Sequence, residues 1–210
     1  MIVSFLRLSS LFSIVALAIL VSGCASAPSI PPGAEPVRQP AQRFNDAGFS
    51  VVPPPGDGWY GMRMDGMITF GKAFSPTHTF AASIAVIRVK NQFASPQDFL
   101  HFVDNAKSKG TNSQRFTVLV SDFALDPAVG PDCVKYHREA QDHESPVAHG
   151  KTLILNVFGI TCLHPDDPHR AVDIEYSERS VAGNVTSSVY AEGQVFLSSL
   201  QFVPFDKQRH

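Results

Sequence analysis

The chain has 210 residues, 44% hydrophobic and 17% charged, with a formal net charge of -2 and 3 cysteines. That length suits one domain plus an appendage rather than two domains. The near-neutral charge argues against a nucleic-acid binder, the hydrophobic content against a wholly disordered chain, and three cysteines are too few for a disulfide-built miniprotein.

Arg7 is the lone charge before Glu35, and Leu8 to Val21 (LSSLFSIVALAILV) is apolar apart from its serines. This run matches the core of a secretory signal and falls short of the roughly 18 to 20 apolar residues that a membrane-spanning helix needs. Val21-Ser22-Gly23-Cys24 then resembles the bacterial lipobox, an aliphatic and two small residues before an obligatory cysteine. The resemblance implies cleavage before Cys24, acylation of its sulfur and its new amine, and a stable multi-chain anchor in the membrane. Ala25, where inner-membrane lipoproteins of enterobacteria carry Asp, resembles an outer-membrane address facing the periplasm.

Residues 25–47 hold five prolines and few bulky apolar residues. Such a segment is semi-extended and cannot bury a core. The expected organisation is therefore a signal peptide over 1–23, a lipidated Cys24 with a proline-rich tether over 24–47, and one globular domain over 48–205. A domain of about 160 residues buries about 70% of the surface of its unfolded chain.

Strand signals come first within the domain: Phe49 to Val52, then Trp59 to Arg63 and Met67 to Ala73 around Asp65-Gly66, then Thr79 to Val89. The period changes after Ser95-Pro96-Gln97-Asp98, which supplies an N-cap, a proline at the first helical position and a first-turn acid. Phe99, Phe102, Val103 and Ala106 follow at helical spacing and Gly110 ends the pattern, so an amphipathic helix is predicted. Strands are predicted at Arg115 to Leu125, Cys133 to Gln141, Lys151 to Leu163 and Ala171 to Ser177. A second helix follows over Ser187 to Ser199, with Val189, Phe196 and Leu200 as its buried side, and Leu200 to Val203 closes the chain. The sum is an α+β domain, a mostly antiparallel sheet with two packed helices.

In an exported chain Cys133 and Cys162 are expected to pair. A hairpin turning at Pro146 to Gly150 sets them directly opposite, at a separation that a disulfide accepts, and sets Tyr136 against Gly159. Closing that loop stabilises the fold by about 3 to 4 kcal/mol. A turn at His164 to Arg170 then pairs Ile160 with Ile174. One face carries Cys133, Cys162, Val172, Ile160, Ile174, Phe158 and Tyr176 as the core side; the other carries Tyr136, Arg138, Thr161, Asp173 and Glu175. A slip of one residue would exchange the faces.

Tyr136, Arg138, Asp173 and Glu175 form the candidate polar cluster, for a ligand or for acid/base work, although cross-strand ion pairs on a solvated sheet are more often structural. Trp59 is a candidate stacking platform or a cap on the core. His137, His143 and His149 lie around one hairpin, in no recognised ligand spacing; His164, Asp166 and His169 are the remaining metal candidates, against the reading of a proline-stiffened turn. No nucleophile elbow, Walker loop or dinucleotide fingerprint is present, and no cofactor is expected.

Phe70-Gly71-Lys72 before His78-Thr79-Phe80, Asp132-Cys133-Val134-Lys135-Tyr136-His137, Cys162-Leu163-His164-Pro165 and Tyr176-Ser177-Glu178-Arg179 together resemble a group of small proteobacterial lipoproteins. That group implies no activity. The strand and helix order is more distantly similar to PsbP-type domains, a sheet between helices, whose members act mostly as accessory or binding modules; this is an analogy of fold. The expectation is a lipid-anchored envelope protein that binds a ligand or an envelope protein partner. The alternatives are an envelope hydrolase using the Arg138, Asp173 and Glu175 face or a metal at the His164 turn, and a periplasmic immunity or assembly factor.

Overall fold

The structure, a computed structural model, describes residues 32–64, 66–90, 92–145, 150–181 and 186–205. The signal segment, Cys24 and His149 lie outside them. In chain order the elements are β1 (Glu35–Pro36), β2 (Phe44–Asp46), β3 (Phe49–Val51), β4 (Tyr60–Met64), β5 (Met67–Ser75), β6 (His78–Arg88), α1 (Pro96–Lys109), β7 (Phe116–Leu125), β8 (Cys133–Asp142), β9 (Leu153–His164), β10 (Asp167–Val181), α2 (Ser187–Ser198) and β11 (Gln201–Phe202). An 8-stranded antiparallel sheet runs β1-β4-β5-β6-β10-β9-β8-β7, and a 3-stranded sheet runs β11-β3-β2. The α+β class expected from the strand and helix signals is the observed one.

The two helices lie on opposite faces of the large sheet. Val172, Ile174 and Tyr176 of β10 pack in one cluster with Phe70, Ile84 and the α2 residues Val189, Phe196 and Leu197. Ala171, one residue earlier and hence on the other face, packs with Phe99 and Val103 of α1 and with Val134. α1 begins where the sequence signals placed it: the Ser95 hydroxyl accepts from the Asp98 N–H at 3.2 Å and donates to the Asp98 carboxylate at 2.8 Å. That pairing satisfies a first-turn donor that has no partner inside the helix. α2 seats closely because residue 193 is glycine: a Cβ there would run into the Tyr176 ring.

The hairpin register is as expected from the turn. Cys133 stands opposite Cys162 and the two are bonded, Tyr136 stands opposite Gly159, and Ile174 opposite Ile160. The core side is the face carrying Cys133, Cys162, Ile160, Val172, Ile174 and Tyr176.

One boundary is corrected. The folded domain does not begin at residue 48, because Glu35 and Pro36 pair with Gly61 and Tyr60, and Phe44 to Asp46 pair with Val51 to Phe49. Val37 and Phe44 pack on the main core. Proline content hides this: Pro36 sits in a short edge strand, where a missing N–H is tolerated.

Candidate functional site

The polar cluster on the α1 face is not an open sheet surface. The last turn of α1 brings Lys107 over it, with Nζ 2.8 Å from the Asp173 carboxylate, 3.0 Å from the Glu175 carboxylate and 4.6 Å from the centre of the Tyr136 ring. The Tyr136 hydroxyl donates to Glu175 at 2.9 Å, and the Thr161 hydroxyl donates to Asp173 at 2.7 Å. Burial works against the Lys107 charge, yet the two carboxylates outweigh it and hold its pKa above the ordinary lysine value. Burial pushes the Tyr136 phenol well above its ordinary range, and the same carboxylates add to the shift.

Arg138 does not join the carboxylates. It donates instead to the Lys107 carbonyl at 3.1 Å and to the Thr111 hydroxyl at 2.7 Å, closing the C-terminal end of α1 onto β8. The expected four-residue cluster thus divides: Tyr136, Asp173 and Glu175 converge on Lys107, while Arg138 fastens the helix. Lys107 and Thr111 escaped the sequence reading. A signal for Lys107 existed, since it continues the Phe99 and Val103 stripe at four-residue steps.

The register explains why Tyr136 reaches both carboxylates: its ring lies across Gly159, where a Cβ would strike the ring and the hydroxyl. Gly159→Ala is therefore expected to expel the ring and lower stability by about 1 to 3 kcal/mol. Urea titration checks this, and the loss should shrink in a Tyr136→Ala background; an equal loss in both backgrounds would assign it to another cause.

Two other candidates are occupied by the fold itself. Trp59 is buried, and its indole N–H donates to Glu192 of α2 at 2.6 Å beside the Lys72–Glu192 ion pair of 2.9 Å. It wedges α2 to the sheet and presents no stacking face to a ligand. His164 is also buried, with Nε2 at 3.0 Å from the Gly48 carbonyl and 3.1 Å from the Val203 carbonyl, while Nδ1 accepts from the Asp166 N–H. Both ring nitrogens are thereby committed to backbone groups, so the metal reading of His164, Asp166 and His169 is replaced by a pin between the two sheets. Among the described residues no group of three or more His, Cys, Asp or Glu side chains is placed to hold a metal ion.

The site with room for a ligand lies on the α2 face. α2 packs mainly over β10 and β6, and among the described residues no helix packs to the same extent over β7 and β8 on that side. The result is a groove of about 450 Å³ lined by Phe158 and Ile160 of β9, Tyr190, Gln194 and Leu197 of α2, and Val129 of the β7–β8 loop. His137 of β8 lies parallel to Phe158 at 4.3 Å between ring centres, and Tyr190 meets Phe158 edge-on at 5.1 Å. Asp122, Asp126 and Lys135 are the charged residues of its lining.

The walls of the groove are suited to holding an apolar group. Its serine, Ser198, donates to the Gln194 carbonyl at 2.7 Å, and the His137 ring nitrogen lies 3.3 Å from the Asn156 amide oxygen. Neither is paired as nucleophile and base. Phe158 is legible in the sequence as a core residue, whereas Tyr190 and Leu197 are not legible as lining, because the gap depends on how far α2 extends over the sheet.

Neither a protein-family model nor a curated protein matches the chain. Among solved structures, the Mycobacterium tuberculosis protein LpqN, described as involved in cell envelope biogenesis, is similar with a TM-score of 0.48 and 11% identity, covering 81% of this chain and 91% of that one. The Saccharomyces cerevisiae Ran-binding protein Mog1p is similar with a TM-score of 0.40 and 11% identity, over 78% of this chain and 97% of that one. At these identities and TM-scores neither likeness says what this chain does.

Proposed function

We propose that this protein is a lipid-anchored component of the bacterial envelope that works by binding, with its ligand's apolar part seated in the groove beside α2. The observation that carries the reading is the groove itself: an open, aromatic-walled cleft of about 450 Å³ beside the sheet, with no nucleophile and base converging in it among the described residues. Clefts of roughly 300 to 1,000 Å³ with apolar walls and a few polar groups are the usual form of a ligand site. The lipobox resemblance at Cys24 supports the anchor, and Ala25 after it supports the outer-membrane address.

The hydrolase alternative loses its support on the α1 face, where Lys107 covers the carboxylates and Arg138 is turned away from them. An assembly or immunity role is a special case of the binding reading.

A photoreactive benzoylphenylalanine in place of Tyr190, in the full-length chain and in its own bacterium, tests the groove. Tyr190 is 40% exposed, so the replacement is tolerated. Adducts at Tyr190 and none at a control position such as Asp57 are expected; no adduct at Tyr190 overturns the reading. The anchor is tested separately: a Cys24→Ala chain should lose palmitate label and keep residues 1–23 uncleaved, and retention of the label refutes the lipobox assignment.

A further inference from the structure

The molecule treats its sheet edges unequally. β1, at one end of the large sheet, is two residues long and includes Pro36. The small sheet ends in β11 and β2, of 2 and 3 residues. Short edges and prolines of this kind prevent pairing with other chains. β7, at the far end of the large sheet, is neither short nor proline-bearing: it is 10 residues long, carries Asp122 as its sole charge, is interrupted in register between Val118 and Val120 and runs regularly from Val120 to Leu125, and, among the described residues, pairs with β8 alone. Val118 and Leu119 on it are 42% and 47% exposed.

The direction of its unpaired backbone groups follows from the ladder. The Asp126 N–H donates to the Cys133 carbonyl at 2.8 Å, so Asp126 faces β8. Hydrogen-bonded positions alternate in an antiparallel pair, so Ser121, Phe123 and Leu125 turn their N–H and carbonyl groups outward. The side chains alternate too. Phe123 stacks with Tyr136 on the α1 face, and Val118, opposite Ala140, shares that face. Asp122, opposite His137, lies on the groove side with Ala124, opposite Lys135.

We propose that β7 takes up an extended polypeptide strand of a partner protein, one that alternates aliphatic and basic residues. Its aliphatic side chains would lie against Val118 and Phe123 on one face, and its basic ones against Asp122 and Asp126 on the other, at the rim of the groove. Main-chain hydrogen bonds supply the affinity and the alternate side chains the selectivity, as in other strand-addition sites. The inference rests on the binding reading of the groove and names the partner that reaches it. A pair of β7 strands from two copies is disfavoured when centred on Asp122, which would set like charges opposite each other.

The test uses the full-length chain in detergent and a fluorescent heptapeptide alternating lysine and valine. Saturable binding by anisotropy is expected, and it should vanish for the same peptide N-methylated at alternate residues. Ser121→Pro removes an outward donor without touching the β8 ladder and should weaken binding by about tenfold or more, as should Asp122→Lys. If Ser121→Pro alters the circular dichroism spectrum, Val118→Lys with Leu119→Lys, both at exposed positions, decides instead. Equal affinity in these variants, or equal binding of the N-methylated peptide, overturns strand addition. Photoadducts at Tyr190 in cells separate the two readings: adducts lost with Ser121→Pro support the strand, whereas unchanged adducts overturn it and leave the groove reading intact. An adduct of twice the chain's own mass overturns the proposed partner in favour of a second copy.

Discussion

Asp142→Ala is expected to lower the unfolding free energy at neutral pH by about 3 kcal/mol, the lower end of the range for breaking a buried ion pair. Asp142 is fully buried at the end of β8, and its two carboxylate oxygens each accept from Arg115 at 2.7 Å. Arg179 of β10 stands 3.3 Å from the same carboxylate, and the Glu144 N–H donates to it. One side chain thus ties β10, β8 and the segment before β7. The lower end of the range applies because both arginine side chains keep about a third of their surface in water and can recover part of their hydration.

The pH dependence has a definite sign. The hydrogen bonds from Arg115, with the Arg179 charge beside them, outweigh burial and hold the Asp142 carboxyl below its ordinary value. A carboxyl depressed in the folded state contributes stability above the unfolded-state pKa of about 3.9, and that contribution is lost as pH falls through the folded-state value. Asp142→Asn should therefore be less stable than the parent at neutral pH, and the gap should close under acid. Denaturant titrations from pH 7 down to pH 2 measure this; a gap that stays constant across the series rules the mechanism out.

Replacing Cys133 and Cys162 together by alanine should cost about 3 to 4 kcal/mol in the chain-entropy model. The two residues are separated by 29 positions and both are buried, so the pair closes a long loop inside the core. The native structure should survive the change. The Leu163 N–H donates to the Asp132 carbonyl and the Asp126 N–H to the Cys133 carbonyl, which hold the same corner without sulfur. The expected signature is a lower urea midpoint with native circular dichroism and unchanged Tyr190 photoadducts. A loss well under 1 kcal/mol would show that the unfolded chain keeps these strands together without the bond.

The hairpin carrying that pair was the most legible part of the molecule. A two-residue side-chain period leaves one register in which Val172, Ile174 and Tyr176 all face inward, and the observed register sets Cys133 opposite Cys162; the turn expected over Pro146 to His149 lies outside the described residues. α1 was legible for the same kind of reason, since Ser95, Pro96 and Gly110 mark its ends locally. β1 and β2 were not, because they lie in a proline-rich stretch with few apolar residues to mark a strand and owe their existence to neighbours that supply the hydrogen bonds.

The candidate sites show the same division. Residue type and register put Tyr136, Asp173 and Glu175 on one face, but whether that face was wet depended on the path of α1, which carries Lys107 onto it. His164 had the chemistry of a ligand, and only the approach of Gly48 and Val203 committed its nitrogens. By itself, the sequence determined the α+β class, the strand register, the paired cysteines and the near-neutral charge that disfavours nucleic acid. The tertiary structure decided what covers each face: the extent of α2 opens the groove, and the end of the sheet at β7 leaves a strand's hydrogen-bonding groups outward. Local periodicity and caps are written in neighbouring residues, whereas coverage depends on elements distant in the chain whose packing no local pattern encodes.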